Sequence, residues 1–394
     1  MRAKPDRPAP GGVIARRAVL KGLRAGGALA LAAPLLNLGR SRVFAASARE
    51  YSHRAIDLVG RSLVIDMLGL LSVNDEVRER WVGGSGMTSS ERDVFRRCGI
   101  TAFHNSVGIG GLHAHEVVLE YIAGLNGFVA RNGDGFIRIE RAGDLDRAKR
   151  SKKTGVIIGV QNAEQFRAPE DVRTFHALGM RCAQLTYNQQ NRLGSGATER
   201  VDGGVSDFGA AIIGSMNEAG MLVDVSHSGD RTTLDAIEIS SRPIAITHSN
   251  CRALNEHPRL KTDEAIRKLA ARGGVMGIAG LRMFVRGTEP TTLEHIADHI
   301  DHVVKLVGIE HVGIGSDADL WGYDSLPPAQ LAELRRGYKA SYAFRERIDI
   351  EGFDHPRKVF DLTETLIRRG YGDADIAAVL GGNFRRLLGQ VWGE

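Results

Sequence analysis

The chain has 394 residues, enough for a large core, and its 43% hydrophobic and 25% charged residues are ordinary globular composition. Its net charge of +5 is unevenly placed, because residues 1–45 hold nine Lys/Arg against one Asp, leaving 43 basic and 46 acidic residues elsewhere. A body so close to neutral lacks the electrostatic footprint of a nucleic-acid-binding protein.

The basic N-terminus has its own pattern. Arg16-Arg17 precedes Val19-Leu20-Lys21, and an apolar stretch runs from Gly26 to Leu38. That stretch is too short to cross a bilayer and has the length of a signal h-region. Ala45, Ala46 and Ala48 offer cleavage sites. The pattern predicts a twin-arginine export signal over residues 1–46, with Ala15 where a Ser or Thr is usual. Residues 47–394 are then a single periplasmic domain, delivered by the twin-arginine machinery and carrying no transmembrane segment. The three cysteines, Cys98, Cys182 and Cys251, match neither a disulfide framework nor a zinc ribbon and read as small buried hydrophobes.

Past residue 50, brief apolar runs alternate with amphipathic segments. The runs are LVIDML (63–68), ITAFHNSV (100–107), GVIIGV (155–160), RCAQLTY (181–187), MLVDVSH (221–227), PIAITHS (243–249), GVMGIAG (274–280) and HVGIGSD (311–317). Near-continuous apolar runs of this length suit parallel strands covered on both faces. Helical periodicity fills the gaps, as in 115–132, 232–239, 263–272 and 293–308. The alternation predicts an α/β fold, a (β/α)8 TIM barrel. A doubly wound open sheet is the other candidate, but no Gly-x-Gly-x-x-Gly turn follows the first strand.

A barrel demands that its chemistry sit at the carboxyl ends of the strands. Tyr187, His227, His248 and Asp317 each close one apolar run, and Gln161 follows another. Two imidazoles on neighbouring strand tips suit one divalent ion, with zinc the commonest choice. Asp317 is placed to take a proton from water and pass it to a leaving amine. Asp319 reads as a carboxylate that orders the loop.

These segments resemble the membrane (renal-type) dipeptidases, zinc hydrolases of the amidohydrolase superfamily. The likeness is carried by LGMRCAQLTYNQQN (178–191), MNEAGMLVDVSHSG (216–229), RPIAITHSNCRALNEHPRLKTDEAI (242–266), HVGIGSDADLWG (311–322) and LGGNFRRLL (380–388). The resemblance implies that His227 and His248 ligate one ion, that Asp317 is the catalytic aspartate and that Arg259 grips the substrate carboxylate. It also exposes departures. Leu68 and Leu70 stand where the family has a His-x-Asp pair, Gln161 where it has a bridging glutamate, and Tyr187 where it has a substrate-contacting histidine. The expectation is a hydrolase that cleaves the amide bond of a small, dipeptide-like substrate with a free carboxylate. It would hold one zinc ion instead of two, or none, with Gln161 a weak third ligand and Tyr187 an oxyanion donor. Glu164 and His104 are reserve ligands. The alternatives are a catalytically silent binding protein and a hydrolase of lactones or non-peptide amides; a homodimer is compatible with any of them.

Overall fold

The computed structural model describes residues 40–43, 49–84 and 86–394, so the paired arginines and apolar run of the expected export signal lie outside the described residues. The chain divides into two units, Met1–Arg54 and Ala55–Glu394. In the first, Arg40–Ser41 pairs antiparallel with Tyr51–Ser52.

The second unit is a closed parallel barrel. Its strands are β1 (Ile65–Asp66), β2 (Ala102–Val107), β3 (Thr154–Val160), β4 (Met180–Gln184), β5 (Leu222–Asp224), β6 (Ala245–Ser249), β7 (Val275–Ile278) and β8 (Val312–Ile314). Each pairs with the next, and β8 returns to β1 through Ile314 and Asp66. The eight apolar runs therefore form the barrel in chain order. The hydrogen-bonded strands are shorter than the runs, so Gln161, Tyr187, His227 and Asp317 stand on the loops just beyond the strand ends. A further short strand, Phe136–Arg138, lies parallel to the start of β3. Three residues between turns make no apolar run, which is why periodicity does not reveal it.

Inward-facing Ile65, Ala102, Ile157, Cys182, Leu222, Ala245 and Val275 fill the barrel, and Phe384, Leu387 and Leu388 of the C-terminal helix join the same cluster. All three cysteines are free and buried. Above this apolar layer the interior turns polar. His104 enters it because β3 has no side chain at Gly159, where a Cβ would sit 2.0 Å from the imidazole Nε2. Gly159→Ala is accordingly expected to lower stability by about 1–3 kcal/mol, the usual cost of overpacking, in a denaturant titration.

The predicted amphipathic segments form outer helices. Ala114–Arg131 buries Ala114, Val118, Ile122, Leu125 and Phe128 at helical spacing. Asp263–Ala271 is capped by Thr262, whose hydroxyl accepts from the Ala265 N–H. Between β8 and the helix Lys358–Arg368 runs a long excursion containing the helix Pro328–Arg336. Tyr342 and Ile348 from this excursion pack with Leu260, Leu281 and Phe284, while Tyr323, Leu334, Tyr338 and Phe344 lie against the same cluster. This excursion roofs one side of the barrel mouth.

Candidate active site

Asp224, the last residue of β5, ties two strand tips together. Its carboxylate accepts from the Ser226 N–H (2.9 Å), the Ser226 hydroxyl (2.6 Å), the Thr247 N–H (3.0 Å) and the Thr247 hydroxyl (2.7 Å). His227 and His248 are carried on these tied tips. His227 Nδ1 lies 2.7 Å from Asn188 Oδ1, an amide oxygen that can only accept, so Nδ1 bears the proton. His248 Nδ1 lies 2.8 Å from the Thr247 hydroxyl oxygen, whose own proton is given to Asp224, so this Nδ1 donates as well. Both Nε2 atoms are left as lone pairs, and they face each other at 2.9 Å. Burial, reinforced by the charge of Arg259, holds both imidazoles well below the ordinary histidine pKa.

Asp317 follows β8. Its N–H donates to the Leu68 carbonyl at 2.8 Å, and its φ of 61° is a left-handed conformation that aspartate tolerates better than most residues. The neighbouring Ser316 is clamped by Asp66, which accepts from its N–H at 2.7 Å and its hydroxyl at 2.6 Å. Behind the clamp lies the fully buried Lys358, 3.4 Å from Asp66, donating to the Ser316 hydroxyl at 2.7 Å and the Asp319 carbonyl at 3.1 Å. Desolvation raises the Asp317 carboxyl from 3.8 to about 7, a rise that Arg259 opposes. Asp319 orders the following loop by accepting from the Val73, Trp321 and Gly322 N–H groups.

Arg259 is wholly buried rather than a surface ion pair. One terminal nitrogen donates to the Ser226 carbonyl and the other to the His248 carbonyl at 3.0 Å, while Nε has no protein partner. Tyr187 stacks on His227 with ring centroids 4.2 Å apart, and its hydroxyl is 2.7 Å from that of Tyr338. The Gln161 amide donates to the Ser106 carbonyl at 2.9 Å. Leu68 is buried and Leu70 half-buried; they meet the β8 tip through main-chain bonds to Asp317 and Ala318. Cys251 does not reach this cluster, since its N–H and thiol are engaged with His299.

A binuclear metal centre does not fit these residues. Leu68 and Leu70 supply no side-chain donor, and among the described residues no three His, Cys, Asp or Glu side chains form a group able to hold an ion. Neither reserve ligand joins the histidine pair: Glu164 accepts from the Gly111 N–H, and His104 Nδ1 is bonded to the Met67 carbonyl while its Nε2 stays without a partner in the barrel. The pair itself offers two nitrogen donors to one ion, fewer than the three protein ligands usual for zinc. Its 2.9 Å separation is less than twice a Zn–N bond of about 2.0–2.1 Å, and both Nδ1 atoms are fixed as donors, the usual support for a metal-binding imidazole.

The space above these groups has two parts. An inner cavity of about 40 Å³ is lined by Gln161, Tyr187, Asp317 and the roof residues Tyr323, Tyr338 and Tyr342. An outer polar groove of about 440 Å³ shares Tyr187, Tyr338 and Tyr342 with it. The inner part has room for a few waters, so a substrate the size of a dipeptide enters only if the roof moves.

Residues 92–330 match the membrane dipeptidase family, peptidase family M19. The chain belongs to that family. The structure is similar to an amidohydrolase from Pseudomonas aeruginosa, with a TM-score of 0.75 and 31% identity covering 86% of this chain and 99% of that one. The probable dipeptidase PvdM from Pseudomonas aeruginosa shares the fold, with a TM-score of 0.70 at 20% identity over 86% and 97% of the two chains. Dipeptidase verJ of Clonostachys rogersoniana is 32% identical over 61% of this chain and 56% of its own length. The chain thus spans about half the length of the curated relatives it matches.

Several residues that shape this family member's site escape a reading by strand tips. Asn188, Thr247 and Asp224 set the histidine tautomers; the latter two are visible as the polar residues of DVSH and ITHS. The roof tyrosines give no local signal because they come from an irregular segment, and Lys358 gives none because its partner Asp66 lies far away in the chain.

Proposed function

We propose that this chain is an exported, metal-dependent amide hydrolase, acting on a small dipeptide-like substrate with a free carboxylate and using one ion. The observation that carries the reading is the pair of Nε2 lone pairs of His227 and His248, held 2.9 Å apart by donors fixed on their other nitrogens. Two lone pairs at that distance repel unless a proton or a metal cation lies between them. A divalent ion, zinc by preference, supplies positive charge that polarises water or a carbonyl. Asp317 accepts a proton from water and delivers it to the departing nitrogen, with a carboxyl poised near 7 for both tasks. Arg259, with Nε unpaired, takes the substrate carboxylate. Tyr187, on leaving Tyr338, donates its hydroxyl proton to the developing oxyanion.

The test is elemental analysis of the exported protein together with hydrolysis of small amides. No more than one tightly bound divalent ion per chain is expected, lost in His227→Ala and in His248→Ala. Two ions per chain, or metal content indifferent to both substitutions, would refute the ligand assignment. Export is tested separately: Arg16→Lys with Arg17→Lys should leave precursor in the cytoplasm. The silent binding protein is favoured by one observation, the small inner cavity of about 40 Å³, and predicts ligand binding without turnover.

A further inference from the structure

A dipeptide carries an α-ammonium two bonds from the carbonyl carbon that water attacks. That cation must enter the inner cavity beside Asp317. The other inner-cavity groups are a neutral amide (Gln161), phenols (Tyr187, Tyr323, Tyr338) and alkyl or aromatic side chains, and Asp317 is the sole acid among these described lining residues. An ammonium paired with Asp317 would lower the basicity of the carboxylate that takes the proton of the attacking water. The remaining carboxylates at the strand tips are committed: Asp66 to Ser316 and Lys358, Asp224 to Ser226 and Thr247, Asp319 to backbone N–H groups. Three cations are buried in the barrel, Arg259, Lys261 and Lys358, the last paired with Asp66. An ammonium brought here would lose its hydration with Asp317 as the one acidic partner in the inner cavity.

The outer groove continues this chemistry. It is lined by Gly108, Asn162, Gln189 and Asn191, neutral groups that hydrogen-bond without charge. Its two ionic side chains are Glu164, which accepts from the Gly111 N–H, and Lys339, which is paired with Glu199.

We propose that the substrate is an N-acylated amino acid, with its carboxylate toward Arg259 and an uncharged polar acyl group extending past Tyr187 and Tyr338 into the outer groove. This rests on the hydrolase reading and names its substrate class. In the reaction the water oxygen bonds to the acyl carbon, and Asp317 takes the water proton. The acyl carbon–nitrogen bond then breaks, the nitrogen receives that proton, and a carboxylic acid and a free amino acid leave.

The test compares glycyl-alanine with glycolyl-alanine, which differ only in an ammonium against a hydroxyl, each with L- and D-alanine. Binding is measured by calorimetry and turnover by release of alanine, on the exported protein with its native metal content. Glycolyl-alanine is expected to bind at least tenfold more tightly, and Gln161→Glu, which adds a carboxylate to the cavity, to shrink or reverse that preference. Tighter binding of glycolyl-alanine without turnover of either compound would uphold the substrate class and overturn the hydrolase reading. Equal or tighter binding of glycyl-alanine, or binding of neither, would overturn the substrate class even if glycyl-alanine is hydrolysed.

Discussion

Asp317→Asn is expected to remove most hydrolysis and, at neutral pH and above, to make the protein more stable. The loss of rate should be about 10²- to 10⁴-fold, the usual contribution of a positioned acid–base group. The stability gain follows from desolvation, which raises the folded carboxyl from 3.8 to about 7. Below about pH 4 the group is protonated in folded and unfolded chains alike and makes no difference. Between about 4 and 7 the folded chain keeps a proton that the unfolded chain has lost, so this group's contribution falls as pH rises. Above about 7 its full cost is present, at most about 4 kcal/mol. Asparagine carries no charge at any of these pH values and is at ease at a φ of 61°. Thermal melts of the two proteins should therefore nearly coincide at pH 4 and separate steadily up to pH 8. A constant difference across that range would show that the carboxylate of Asp317 is not buried as a charge. Hydrolysis by the unaltered protein should rise through pH 7 as the base form appears.

Lys358→Met should be the most destabilising single change near the site, at about 3–5 kcal/mol. The lysine is fully buried and is the counter-charge of the fully buried Asp66, 3.4 Å away. Removing one member leaves the other as an unpaired charge in the barrel wall. Because the same ammonium donates to Ser316 and to the Asp319 carbonyl, the segment holding Asp317 loosens too. The double variant Asp66→Asn with Lys358→Met should recover part of the loss, since no net charge is then stranded. Equilibrium denaturation of the single and double variants measures both effects. If the double variant is no better than Lys358→Met alone, the pair is not the source of the cost.

How much of this was legible in the chain itself depended on the range of the forces involved. The barrel was, because burial on both faces of a parallel strand writes a local signature: eight apolar runs separated by helical periodicity, as in 115–132 and 263–272, are readable without a partner. So were His227, His248 and Asp317, because a polar residue ending an apolar run has to be at a strand tip. The absence of donors at Leu68 and Leu70 was equally plain. The short strand Phe136–Arg138 was not legible, since its few residues are held by pairing with β3.

What only the tertiary structure decided concerns groups distant in sequence. Arg259 is anchored on the carbonyls of Ser226 and His248, with Nε left over, because folding brings the loop after β6 across two strand tips. The proton on His227 is placed by Asn188 from the loop after β4, and that on His248 by Thr247, whose own proton goes to Asp224 on the neighbouring strand. Lys358 meets Asp66 across almost the whole length of the barrel sequence, and Tyr338 reaches Tyr187 from a roof with no regular period. Hydrophobic patterning is local and therefore visible in one chain. Charge compensation, tautomer choice and the shape of a small cavity depend on which side chains meet in space, and those meetings exist only once the barrel has closed.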